Sequence, residues 1–100
     1  RAVVRVGELW GIIDKSGKFI LELQKFDYIF DEFYGGMLNF RVNRKSGCLD
    51  IDGKVAIEPI FDDISVFEGD VTAAKIDYKN VFIDKKGRIL PISYYFEIED

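Results

Sequence analysis

The chain has 100 residues, 48% apolar, 15% aromatic and 32% charged, with a net charge of −4, which is the size and composition of one globular domain. Its basic residues are spread along the chain, which disfavours nucleic-acid binding through phosphate neutralisation, and no apolar run approaches the roughly 20 residues that cross a bilayer. Nine Phe and five Tyr against one Trp and one Met weight the composition towards strands.

Arg1 opens the chain in place of Met, and no charged-then-apolar leader follows it. The expectation is a piece of something longer. Ala2 falls in a first strand around Arg5 and Val6, the polar connection GELW follows, and residues 11–14 form a second strand. Asp14 and Gly17 then bound a tight turn, in which the carboxylate bonds nearby N–H groups and glycine supplies the positive φ. A third strand runs through Phe19 and Ile20, and the chain enters an aromatic, acidic corner, FDYIFDEFYGG, closed by Gly35 and Gly36.

The plan then returns twice. WGIIDKSGKFI is answered by SGCLDIDGKVA and by NVFIDKKGRIL, with the turn glycines Gly17, Gly53 and Gly87 spaced 36 and 34 residues apart. Arg5, Arg41 and Lys75 share one offset before those glycines, and Lys18, Lys54 and Arg88 follow them, which predicts a mixed, solvated charged surface. The first strands, such as Leu38–Val42 and Val71–Ile76, alternate apolar and polar with the period of a half-buried strand. The connections NRKS and DYKN lead to second strands at residues 47–50 and 81–84. Corner two reads FDDISVFEGD, and corner three contains Tyr95, Phe96, Glu97 and Ile98. A unit repeated in this way is built by stacking, because one three-stranded unit cannot bury its own apolar face. The corner aromatics Phe26, Phe33, Phe61, Phe67 and Tyr95 are the expected material between units, with Tyr28, Phe30 and Tyr34 adding to it.

Candidate chemistry is sparse. Asp14, Asp50 and Asp84, with Asp52 nearby, repeat once per unit, so they are set a unit apart and read as turn residues rather than as metal ligands or an acid–base pair. The chain has no histidine, which removes the commonest general base and zinc ligand. It carries no glycine-rich phosphate cradle either, so no catalytic residue, metal or cofactor is expected. Cys48 aligns with Ile12 and Phe82 and reads as a small buried apolar residue. Trp10, Tyr28 and Tyr34 are the candidate ligand-binding residues, as aromatics able to stack on a sugar ring or a peptide side chain. Trp10 and Tyr34 flank turns and are the two most expected to be exposed.

The residues WGIIDKSGKFI, the FD-x-I corner and the aromatic-x-x-Gly approach to the next strand resemble the WG, or KWG, repeat family of tandem bacterial units. The likeness spans essentially the whole chain. Only copy one carries Trp-Gly, copy two reading Ser46-Gly47 and copy three Asn80-Val81. The resemblance implies a binding or scaffold segment of a larger bacterial protein rather than an enzyme.

These readings converge on an all-β fold of three tandem repeats of about 35 residues, each a three-stranded antiparallel meander, stacked as an open curved repeat array within a single domain. The units span about 2–36, 37–70 and 71–100, as a fragment of a longer array. A sector of a β-propeller is the alternative, since a closed propeller needs at least about four blades. The expected function is a protein-interaction scaffold. Carbohydrate or cell-envelope ligand binding through aromatic stacking is the alternative, and a plain spacer a third reading. Neither nucleic acid nor membrane insertion is expected.

Overall fold

The computed structural model describes residues 1–91, and no helix forms among them. The first sheet holds β1 (Ala2–Val6), β2 (Leu9–Ile13) and β3 (Phe19–Lys25) in that order. The second holds β4 (Tyr28–Ile29), β5 (Leu38–Val42), β6 (Lys45–Leu49) and β7 (Val55–Phe61). The third holds β8 (Asp63–Ile64), β9 (Val71–Ile76) and β10 (Lys79–Asp84). Every pairing is antiparallel, and the sheets are open. The third copy continues as far as a bridge between Ile83 and Ile89. Its aromatic corner, including Tyr95, lies outside the described residues.

The hairpins are tighter than the four-residue connections GELW, NRKS and DYKN suggested. The closing pairs are Val6 with Leu9, Val42 with Lys45 and Ile76 with Lys79, which leaves two-residue turns. Asn43 and Arg44 have φ of 51° and 66°, and Asp77 and Tyr78 have 50° and 65°. Two consecutive positive φ values are the signature of the turn whose twist matches that of paired strands. Residues 9 and 10, 45 and 46, and 79 and 80, which looked like loop, are therefore strand.

Each sheet hands the chain to the next at a bend. β3 ends at Lys25 and, past Phe26 and Asp27, the chain pairs with β5 of the second sheet as β4. β7 ends at Phe61 and, past Asp62 alone, the chain pairs with β9 as β8. The corner is thus a fourth, short strand that belongs to the sheet ahead, an addition to the three-stranded unit expected. Strands that bend and change sheet are how stacked sheets are joined at corners.

Two apolar clusters fill the spaces between the three sheets. Ile12, Ile29, Leu38, Phe40 and Leu49 form the first, with Trp10, Leu21, Phe26 and Phe33 packed against it. Met37, Cys48, Ile57, Phe61, Phe67 and Ile83 belong to the second. Neighbours on one strand split between them: Cys48 faces one cluster and Leu49 the other. The middle sheet is therefore covered on both faces, as the period of two requires. Burying a side chain such as Phe61 or Ile12 fully stabilises by about 1.5–3 kcal/mol.

Gly47 sits where β7 comes close to β6. A Cβ there would lie 2.5 Å from the Ile57 carbonyl oxygen and 2.9 Å from Phe40 Cζ. At Gly11 the equivalent distance to the Leu21 oxygen is 2.8 Å. In each pair the register slips beside the glycine, with Pro59, which has no N–H to give, inside the slip of β7. The glycine of the Trp-Gly pattern is thus set by a close backbone approach. Gly47→Ala should lower the free energy of unfolding by about 1–3 kcal/mol in urea titration, while Glu68→Ala changes it by less than about 0.5 kcal/mol. An unchanged midpoint for Gly47→Ala would refute that reason for glycine.

Candidate functional site

The repeated aspartates are committed to their own turns. Asp14 Oδ1 accepts from Ser16 N at 2.8 Å, Ser16 Oγ at 2.6 Å and Lys18 N at 3.1 Å. Asp50 Oδ1 accepts from Asp52 N and Lys54 N at 2.9 and 3.0 Å, and Asp84 Oδ1 from Lys86 N and Arg88 N, both at 2.9 Å. Gly17, Gly53 and Gly87 stand at φ of 86°, 76° and 78°. The carboxylates hold backbone and sit one to a unit, and among the described residues no three His, Cys, Asp or Glu gather where a metal would need them. Cys48 is fully buried, its Sγ donating to Asn39 Oδ1 at 3.4 Å, and burial pushes the thiol up to about 12. Buried and protonated, it presents no thiolate near neutral pH.

Of the three aromatic candidates, the fold brings two together. Trp10 on β2 faces Arg5 on β1, whose guanidinium carbon lies 5.1 Å from the centre of the indole ring, a cation–π contact. The indole also packs on the first core cluster. Beside it opens a groove of about 470 Å³ lined by Arg5, Glu8, Trp10, Lys25, Asp27 and Tyr28 among others. Tyr28 is 54% exposed and meets the edge of Phe30, ring centres 5.6 Å apart. Tyr34 does not line this groove. It sits in the corner bridged to Met37, and its hydroxyl donates to Glu32 Oε2 at 3.2 Å, which raises its pKa.

A second surface was not recognised from sequence. Phe19, Val55 and Ile89 all stand two residues after a turn glycine, and they are 43%, 49% and 50% exposed. The stacked sheets therefore carry one exposed apolar side chain per unit at an identical position. Beside Val55 an apolar cleft of about 290 Å³ opens between the first and second sheets, with Leu21, Phe26, Val42 and Pro59 in its walls. The signal was present, an apolar residue at one offset in all three copies, but an apolar residue in a strand reads as core.

The corner aspartates tie neighbouring units. Asp62 Oδ1 takes Lys45 Nζ at 2.6 Å, and its Oδ2 takes the N–H of Asp77, at the next hairpin tip, at 3.0 Å. Asp27 Oδ2 accepts from Arg44 N, at the tip ahead of it, at 3.4 Å.

A family model described as WG containing repeat matches residues 10–45 and 47–79. Each match begins in a second strand, crosses the bend and ends in the following hairpin, so the matched unit includes the passage between sheets. No curated protein and no solved structure matches the chain.

Three aspartates are held below the ordinary carboxylate range in the folded chain. Asp14 is lowered first by the Ser16 hydroxyl and Asp62 first by Lys45; at Asp84 burial pushes the other way and is outweighed by N–H groups of Arg88 and Lys86 and by the Arg88 guanidinium. The unfolded chain then binds more protons in acid, so the stability these groups give is complete above the ordinary value of about 4 and is lost as pH falls through the lowered ones. The urea midpoint should stay level from pH 7 to about 5 and drop below about 4. Asp62→Asn should lower the midpoint at pH 7 and flatten the acid limb. A midpoint that holds or rises down to pH 3 would contradict this.

Proposed function

The chain belongs to the family of WG-containing repeats, and from that premise we propose that this repeat module is a non-enzymatic scaffold that binds a partner protein. The observation that carries the reading is the row of exposed apolar side chains at Phe19, Val55 and Ile89, with a cleft beside Val55. One exposed apolar side chain at the same position in each sheet, with the cleft beside Val55, offers spaced anchors that suit an extended partner. The aspartates spent on turns, the buried thiol and the absence of histidine all speak for a non-enzymatic role.

Carbohydrate stacking has less support. One ring in the aromatic groove, Trp10, already carries the Arg5 guanidinium, and Tyr34 stands outside the groove.

The test is affinity capture from a lysate of the cells that make the protein, read by mass spectrometry, with the triple variant Phe19→Asp, Val55→Asp, Ile89→Asp alongside. A protein retained by the parent chain and depleted at least tenfold with the variant is expected. Retention of polysaccharide alone, or loss caused by Trp10→Ala with Tyr28→Ala and not by the triple variant, would overturn the reading.

A further inference from the structure

The two junctions between sheets are closed differently by their side chains. At the second, the Asp62 carboxylate receives the Lys45 ammonium at 2.6 Å, and the Arg41 guanidinium reaches across to the Asp62 carbonyl at 3.1 Å. The first junction has neither contact. Leu9 stands at the offset of Lys45, so Asp27, the counterpart of Asp62, meets no cation among the described residues and its carboxylate accepts only from Arg44 N, at 3.4 Å. Arg5, the counterpart of Arg41, turns back instead: its Nε donates to the Gly7 carbonyl at 2.8 Å and its guanidinium lies over Trp10. The third strand is also longer here, since Phe26 follows Gly17 by nine residues and Phe61 follows Gly53 by eight.

These same residues line the groove of about 470 Å³ beside Trp10. Its walls carry the rings of Trp10, Phe26 and Tyr28 and the carboxylates of Glu8 and Asp27. Glu8 stands at the offset of Arg44, so the hairpin tip brings a second carboxylate where the next unit has a cation. The Arg5 charge is already spent on Gly7 and the indole, and Lys25, at the end of β3, lines the groove without an ion pair. Both walls lie within the first two units, and the identity of residues 5, 8 and 9 separates this junction from the next. Aromatic rings and a carboxylate around one space attract a cation, the rings through their faces and the carboxylate through a charge-assisted hydrogen bond. The second junction shows which cation fits the aspartate, a compact ammonium on a flexible stem.

We propose that the groove at the first junction is a binding site for a lysine side chain of a partner protein. The ammonium bonds the Asp27 carboxylate as Lys45 bonds Asp62, and the methylene stem lies along the aromatic wall. The site adds a second contact to the protein-interaction reading and rests on that reading for the source of the lysine.

The probe is a blocked pentapeptide, Ala-Ala-Lys-Ala-Ala, added at millimolar concentration to the isotope-labelled full chain, with norleucine in place of its lysine as the control. Saturable shifts at the Trp10 indole N–H and at the Asp27 and Tyr28 amides are expected, and the norleucine peptide, which leaves the protein unaltered, should bind at least tenfold more weakly. Asp27→Asn keeps an oxygen for Arg44 N and should weaken lysine binding at least tenfold. Leu9→Lys sets the second junction's ammonium inside the first and should abolish it. Lys25→Met removes a repelling cation from the wall and should strengthen it. Equal binding by the norleucine peptide, no saturable shift at these groups, undiminished binding to Leu9→Lys, or weaker binding to Lys25→Met, the sign of an anion site, would each overturn the lysine site. None of these outcomes touches the row at Phe19, Val55 and Ile89, so the scaffold reading falls only if the capture fails.

Discussion

The passage of the chain from one sheet into the next is the constraint on which the rest depends. After β3 and again after β7, one backbone leaves its sheet and within one or two residues pairs with the first strand of the sheet ahead. A lone sheet of three short strands has no partner for its apolar face. The crossing places the second sheet against that face and supplies an edge strand to it in the same step. The outcome is a stack whose long dimension, 48 Å, is three times its thinnest, 16 Å.

Side-chain choices follow from keeping neighbouring sheets in contact. Turn glycines must be small as well as free in φ, because the preceding third strand lies under Gly53 and Gly87. The one buried amide, among the described residues, spans a junction: Asn39 Nδ2 donates to the Ile64 carbonyl at 2.9 Å, and its oxygen receives the Cys48 thiol. A polar group so enclosed is costly unless bonded, and here it is bonded on both sides. The equivalent positions are Val3 and Ala73, so that link belongs to the middle unit.

Much of this was legible in the sequence. The repeat gave the stacked units, Asp14 and Gly17 with their counterparts gave the turns, and alignment of Cys48 with the buried Ile12 gave its burial, although Phe82 at the same offset is 37% exposed. The corner strands were not legible because Tyr28 and Ile29, or Asp63 and Ile64, are too short to show a period. Tyr78, 97% exposed at a positive φ, disguised its two-residue hairpin, since glycine or asparagine is the usual mark of such a turn. The purpose of Gly11 and Gly47 depends on a slip in the facing strand, which no local pattern announces. At the candidate site, Trp10 and Tyr28 do line one groove, but the Arg5 that caps the indole comes from pairing across β1 and β2, and Tyr34 is carried to a different part of the corner.

If the junctions hold the fold, protection from solvent exchange must follow coverage by neighbouring sheets and not strand length or composition. Native-state hydrogen exchange, read amide by amide, tests this most directly. The account requires amides of β5 and β6, covered on both faces, to exchange slowest and only through global opening, with the β1–β3 sheet opening at lower free energy. Equal or greater protection in β1–β3, or three sheets that open independently, would contradict it.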